Sequence, residues 1–344
     1  MTVNHGVRGS SPWRGAIFFI HLLLQVFYFI QISKYGIISI WGDMMKVSVI
    51  GLSGLSLFFK LDHLPNVGET ILTDKLHKEY GGKGFNQAIV LAKMGVNVSF
   101  LTTVGTDDSA DACEEVLRKH NVNKYGIRKE GSTAIGVIYT SVDGNNEVIV
   151  YEGVSKDLDE LDVIDFEKEI KESEFLLIQM ETSLDVLKKS LELAKKYNTK
   201  VVLNAAPAIY KLSKEELDNI DIVVVNENEA KTLFAIPDEI KISEYGNFVC
   251  NKYKCTIVIT LGEDGSTIIN NDGVHQIKAF KVQTVDTTGA GDTFIGLLTY
   301  GLINNLDIIK AANIASYGSS LAVSKPYVID AIPDKKIIDN MINK

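Results

Sequence analysis

FLLIQMETSLDVLKKSLELAKKYNTKVVL, residues 175–203, holds the pattern that decides the fold. Phe175 to Ile178 is a short unbroken apolar run, the mark of a strand buried on both faces. Leu184 to Tyr197 is amphipathic and helix-length, and Lys200 to Leu203 returns to strand. The same alternation extends outward in both directions. Upstream come the strand Lys46–Ile50, a helix from Asn86 to Met94 closed by Gly95, the strand Val98–Val104 and a helix from Ser109 to His120. Downstream come the strand Ile222–Val225, the helix Glu227–Phe234 and the strand Thr256–Thr260. Strand and helix in alternation predict an α/β domain: a mostly parallel central sheet covered on both faces.

Two stretches break this rhythm. Residues 53–76 and 133–151 alternate like strands, with Val137-Ile-Tyr-Thr140 and Glu147-Val-Ile-Val150 flanking an Asp143-Gly144 turn. Neither has a helix-length pattern, so they predict a small antiparallel sheet outside the main layer, placed as a lid. We expect one domain, 45–344, carrying that lid.

The chain has 344 residues, 46% of them hydrophobic, 23% charged and a formal net charge of −9. That balance excludes a nucleic-acid binder working by broad phosphate neutralisation, but not a small anionic ligand held by backbone donors. Cys113, Cys250 and Cys255 are too few and too poorly spaced for a disulfide framework or a structural zinc site, and fit reduced cytoplasmic thiols. Residues 1–44 form an apolar extension. Ala16 to Ser33 lacks any Asp, Glu, Lys or Arg and has the length and polarity of a membrane anchor. Arg8 and Arg14 before it would, however, direct everything after it out of the cytoplasm, where reduced thiols belong. The competing expectation is that translation begins at Met44 or Met45 and the earlier residues are upstream read-through. Trp41-Gly42-Asp43 requires the codons TGG-GGN-GAY, a G-rich run resembling a ribosome-binding site.

Two glycine turns carry the chemistry. In Val285-Asp-Thr-Thr-Gly-Ala-Gly-Asp292, the small residues Gly289, Ala290 and Gly291 let backbone N–H groups approach a ligand closely. The apolar run from Phe294 predicts a helix whose positive end faces the same place, as an anion site requires. Asp292, in its first turn, can take a proton from an attacking hydroxyl; a helix-capping Asp is the plain alternative. The second turn is Gly81-Gly82-Lys83-Gly84-Phe85-Asn86-Gln87-Ala88. It is neither a Walker A loop nor a dinucleotide fingerprint. Its glycines allow close approach to a polyol, and Lys83 and Asn86 can bond hydroxyls.

In this order and spacing, the two turns resemble those of the ribokinase/PfkB family of carbohydrate kinases. The resemblance runs from about Lys46 to Ile332 and includes Pro65-x-x-Gly68-Glu69-Thr70, Gln179-Met-Glu181, Leu203-Asn-Ala-Ala-Pro207, Asn226-Glu-Asn-Glu229 and Thr260-Leu-Gly262. It implies a three-layer α/β/α sandwich with a small β-sheet lid, and phosphoryl transfer from ATP to a primary hydroxyl of a sugar. Asp292 would be the base and Gly289, Ala290 and Gly291 the anion hole. Gly54, Ser56, Gly82, Lys83 and Asn86 would meet the sugar. Asn204, Asn226, Thr260, Gly262 and Gly265 would meet ATP. Asn226 and Glu229 would organise Mg²⁺ mainly through water, as that ion prefers. Glu181 is a further polar candidate near the phosphates, or a strand-end surface acid. The resemblance also implies a soluble cytoplasmic enzyme whose partners are a sugar and ATP, with no nucleic acid, no membrane for the kinase domain, and a homodimer through the lid as a candidate assembly.

Two departures bear on specificity. Where ribokinases carry an Asn and an Asp after the first strand, this chain has Gly54 and Ser56. A lost carboxylate and vacated space there predict that ribose is a poor substrate and a larger sugar is preferred. Near the C-terminus, Ser324-Lys-Pro-Tyr-Val328 lacks the glycine of the family's cation loop, while Asp286 and Thr288 remain as candidate K⁺ ligands. The alternative functions are a nucleoside kinase of the same superfamily, for which Phe58, Phe59 and Phe85 could form a base slot, and a non-catalytic sugar or nucleotide sensor.

Overall fold

The computed structural model describes residues 32–33, 36–37, 46–141, 146–249 and 252–343. The chain divides into two compact units, Met1–Met44 and Met45–Lys344. Of the first, the described part is a short antiparallel ladder of Ile32–Ser33 with Gly36–Ile37. The apolar segment expected as an anchor or as read-through lies almost wholly outside the described residues, as do the Asp143-Gly144 turn and Cys250. Among the described residues no helix is long and apolar enough to cross a membrane. Cys113 and Cys255 are free and buried.

In the second unit the strands, in chain order, are β1 (Lys46–Ile50), β2 (Gly54–Leu61), β3 (Leu76–Gly81), β4 (Asn97–Val104), β5 (Asn123–Arg128), β6 (Ala134–Ser141), β7 (Asn146–Tyr151), β8 (Phe175–Gln179), β9 (Lys200–Asn204), β10 (Ile222–Asn226), β11 (Thr256–Thr260), β12 (Ser266–Asn270) and β13 (Gly273–Ile277). Nine of them form one sheet in the order β13-β12-β11-β10-β9-β8-β1-β4-β5. All neighbours from β11 to β5 pair parallel, and the β12–β13 hairpin adds an antiparallel edge. The deciding stretch folds as read: β8, fully buried, then a helix over Leu184–Tyr197 capped by Ser183, then β9.

Helices cover both faces. Val47, Val49 and Leu177 join a core with Phe85, Ile89 and Phe294, while Ile50, Leu176 and Ile178 join another with Val186 and Leu187. Alternate residues of each strand thus feed opposite layers, as the period of two requires. The Ala290–Ile303 helix is buried nearly all round, because it packs between the Lys83–Lys93 helix and the Ile308–Val323 helix. This burial explains why its sequence is apolar without a strong stripe.

The strands β3-β2-β6-β7 form a separate four-stranded sheet, the lid. Its two hairpins are antiparallel, but its central pair, β2 with β6, is parallel, which corrects the expectation of a purely antiparallel sheet. The chain between β2 and β6 passes through much of the main domain, and that long return allows a parallel pairing. The lid also includes β3, beyond the expected limit at residue 76.

The main sheet switches direction at β1. From β1 the chain builds outward through β4 and β5, then returns to β8 on the other side and proceeds to β11. Ligands of open α/β sheets bind at the carboxyl ends of strands around such a point. Ser53, Glu181, Asn204 and Asn226 end or follow β1, β8, β9 and β10 along that edge.

Candidate active site

Two helices begin at this edge. The Lys83–Lys93 helix has Gly82 as its N-cap and the Ala290–Ile303 helix has Gly289, and neither cap uses a side chain. Both glycines adopt positive φ, 113° and 74°, which a side chain rarely tolerates. At Gly82 a Cβ would also stand 2.4 Å from the Leu52 carbonyl oxygen. The helices are packed against each other, so their positive ends converge.

Asp292 is the third residue of its helix, so its carboxylate is not a cap. It is buried, and it accepts hydrogen bonds from the neighbouring helix: Asn86 Nδ2 at 2.8 Å on Oδ2 and Gln87 Nε2 at 3.0 Å on Oδ1. Gln87 is oriented in turn by Gln179 Nε2, which donates to its Oε1 at 2.8 Å. Burial pushes the Asp292 pKa up to about 6, against the pull of the Lys83 ammonium and of the Asn86 and Gln87 bonds. A base that titrates near the working pH is what proton abstraction needs. Lys83 Nζ pairs with Glu181 Oε1 at 3.2 Å, and the Lys83 N–H also donates to Glu181, at 3.1 Å. Burial opposes the Lys83 charge, but the Glu181 and Asp292 carboxylates outweigh it and hold its pKa above the ordinary lysine value. Glu181 is therefore the partner of Lys83, not a surface acid.

The first i to i−4 bond of the 290–303 helix runs from Thr293 N–H to the Gly289 carbonyl at 2.9 Å. The N–H groups of Gly291 and Asp292 precede that ladder and remain for an anion. The Ala290 N–H is engaged with the Thr287 carbonyl at 3.2 Å, which makes it the weakest of the three expected donors. A Cβ built at Gly291 meets nothing within 4 Å, so this position faces open space.

That space is one of two cavities divided by the turn. The larger, about 900 Å³, is lined by Ala290 and Gly291 and by the expected wall residues Thr260, Gly262 and Gly265. The smaller, about 170 Å³, is lined by Gly289 and Asp292 and by all five expected sugar contacts, Gly54, Ser56, Gly82, Lys83 and Asn86. Asn226 and Glu229 are not on the larger cavity's lining. They form a reciprocal capping box, each donating its N–H to the other's side chain at 2.8 Å. Burial raises the Glu229 pKa, against the Asn226 N–H bond and the attraction of the Lys83 charge. Asp286 accepts the Thr288 N–H at 2.9 Å and the Tyr327 N–H at 3.1 Å. Thr288 Oγ1 is buried without a partner.

The space expected at Gly54 does not exist. A Cβ there would lie 2.4 Å from the Ala134 carbonyl oxygen, because β2 and β6 approach closely at that register. A different carboxylate reaches this cavity from the neighbouring strand. Glu79 stands across from Ser56 on β3 and lines the same cavity. It accepts the Val328 N–H at 3.1 Å and the Ile329 N–H at 2.8 Å, and burial raises its pKa despite both bonds. Glu79, Gln87 and Gln179 were the residues missed from sequence. Only the strand alternation of Leu76–Gly81, which places Glu79 on the face of Tyr80's opposite neighbours, could have pointed to the first.

Comparison with known proteins identifies the family. The model of the pfkB family carbohydrate kinases matches residues 44–335. A ribokinase of Staphylococcus aureus is 33% identical over 294 residues, covering 84% of this chain and 96% of its own. A deoxyribokinase of Salmonella typhi is 30% identical over 286 residues, covering 81% and 93%. The structure of an Arabidopsis thaliana ribokinase complexed with ribose and ATP superposes with a TM-score of 0.78 at 25% identity, covering 87% of this chain and 99% of its own. With its three-layer sandwich, its lid and the two glycine turns facing one carboxylate, the chain belongs to the pfkB family of carbohydrate kinases.

Proposed function

We propose that this carbohydrate kinase moves the γ-phosphate of ATP onto a primary hydroxyl of a pentose-sized sugar, with Asp292 as the base. The carrying observation is the Gly289–Asp292 turn, which walls off a nucleotide-sized cavity from a small one and presents Asp292 to the latter. The sugar hydroxyl donates to Asp292, whose two fixed amide donors aim the carboxylate. The N–H groups at the helix start then meet the charge that builds on the transferred group. Asn86 Oδ1, buried and without a partner, is an acceptor for a second hydroxyl, with Ser56 and Lys83 beside it.

The cavity of about 170 Å³ is below the ~300–1,000 Å³ usual for larger organic ligands, which favours a monosaccharide over a nucleoside. Together with the missing room at Gly54, it replaces the larger-sugar expectation. Ribose and 2-deoxyribose are the first candidates, since the relatives above are named for them. A sensor would have no use for an oriented, near-neutral base.

Mg²⁺ suits the donor set: Glu229 is a half-buried carboxylate near enough to feel the Lys83 charge, and a hydrated ion on ATP needs few protein ligands. It would neutralise phosphate charge, while Asn226 and Asn204 would position the phosphates. Asp286 and Thr288 are the K⁺ candidates, and a cation there would share Asp286 with two backbone N–H groups. Comparing rates in KCl and NaCl tests this. We place the kinase domain at 45–344 and the enzyme in the cytoplasm. Tyr151 and Ile149, exposed on β7, mark the lid face that a homodimer would cover.

Asp292→Asn tests the assignment. Turnover of ATP with ribose or 2-deoxyribose should fall by about 10²–10⁴ while affinity for an ATP analogue stays within a few-fold. Near-normal turnover in the purified variant would remove Asp292 as base.

A further inference from the structure

Three consecutive backbone N–H groups, those of Tyr327, Val328 and Ile329, are held by two carboxylates from different parts of the molecule. Tyr327 donates to Asp286 Oδ2, Val328 to Glu79 Oε2 and Ile329 to Glu79 Oε1. Asp286 immediately precedes the phosphate-facing turn. Glu79 belongs to lid strand β3 and faces the acceptor cavity opposite Ser56. The lid grips the same segment through rings as well. His77 stacks on Tyr327 with centroids 3.5 Å apart, and Phe58 meets it edge-on at 5.8 Å. Tyr327 takes φ 67°, a conformation that a bulky residue keeps only when its surroundings enforce it.

The segment touches the turn through one side chain. Val328 lies against Gly289, where an added Cβ would be 2.5 Å from Val328 Cγ1. Gly289 is the N-cap whose carbonyl opens the helix ladder, so its position sets where the Gly291 and Asp292 N–H groups point. An unbroken contact path therefore runs from the acceptor cavity through Glu79 and Val328 to the phosphate-facing turn.

We propose that Glu79 is a positioning residue that couples the lid to that turn, so that filling the acceptor cavity and setting the phosphate-facing N–H groups become one event. This rests on the turn being the anion site. Each Glu79 oxygen already holds a backbone donor, so its first role is to fix the 327–329 segment and not to bind sugar.

The test is a double-mutant cycle in the full chain with D-ribose or 2-deoxyribose, whichever is turned over faster, and ATP. Glu79→Gln keeps the shape but can hold only one of the two N–H groups; Val328→Ala removes the methyls that reach Gly289. Each should lower kcat about tenfold with the sugar KM within about threefold, the signature of an interaction needed in the transition state. The double variant should be no slower than the worse single, because the two act in series. A raised sugar KM with kcat intact would show direct sugar binding and overturn the proposal, as would wild-type kinetics of Glu79→Gln or multiplicative losses in the double variant. If Glu79→Gln does not fold, Glu79→Asp, which withdraws the charge by one methylene, supports the same cycle. Asp292→Asn run alongside separates the two ideas: an active Asp292→Asn sinks the reading of the site, whereas an inactive one beside a normal Glu79→Gln sinks only the coupling.

Discussion

Gln87 Nε2 lies 3.0 Å from Asp292 Oδ1 and takes its own orientation from Gln179. The carboxylate is thus aimed by a relay that begins at the end of β8 and crosses to the partner helix. Burial raises its pKa to about 6, and in the proposed role of base it must be ionised. As pH falls through 6, protonation removes the base and the rate should fall about tenfold per pH unit; above 7 this group leaves the rate flat. A pH profile of kcat/KM for the sugar, which reports the free enzyme, checks this. An acid limb near the ordinary carboxyl range of ~4 would contradict it.

Gln87→Leu removes one of the two bonds that favour the charged carboxylate. Without it the burial effect gains, so the Asp292 pKa rises and the acid limb should move to higher pH. A loss of rate that is uniform across pH would mean that Gln87 matters for packing alone.

Much of this was legible in sequence because the relevant signals are local. The apolar run of β8 and the periodicity of 184–197 fix one βαβ unit, and Gly289 and Gly82 announce their own backbone conformations. What was not legible depends on pairings far apart in the chain. The parallel register of β2 with β6 brings Ala134 against Gly54, so a glycine that reads as vacated space is a glycine because there is none. Likewise Glu79 acquires its meaning only when β3 is laid beside β2 and the 327–329 segment returns to meet it, some 250 residues later. Asn226 and Glu229 show the opposite limit: their spacing serves a capping box equally well, and the sequence cannot separate the two uses.

Gly54→Ala tests the space directly. The clash is with the backbone of a paired strand, which cannot rotate away as a side chain could. Overpacking of this kind costs about 1–3 kcal/mol, so the melting temperature should fall by several degrees and restored sugar affinity should not accompany it. An unchanged melting temperature would show that the lid yields.

Ser56→Asp should not improve ribose use in this chain, because the new carboxylate would face Glu79 across the β2–β3 pair. Cβ atoms so placed are about 4.5–5.5 Å apart, and like charges at that distance destabilise. The sign of the pH dependence follows. Glu79 already has a folded pKa above its ordinary value through burial, and a second carboxylate would raise it further. A carboxyl whose folded pKa exceeds its unfolded one contributes stability below the unfolded pKa and loses it as pH rises through the folded pKa. The deficit of Ser56→Asp relative to the parent chain should therefore be larger at pH 8 than at pH 5, measured by thermal melts at both. Adding Glu79→Gln should remove most of that pH dependence, since only one carboxylate then remains at the Ser56–Glu79 pair of β2 and β3. A deficit that is equal at the two pH values, or that survives the second substitution, would show that the two side chains do not share the cavity.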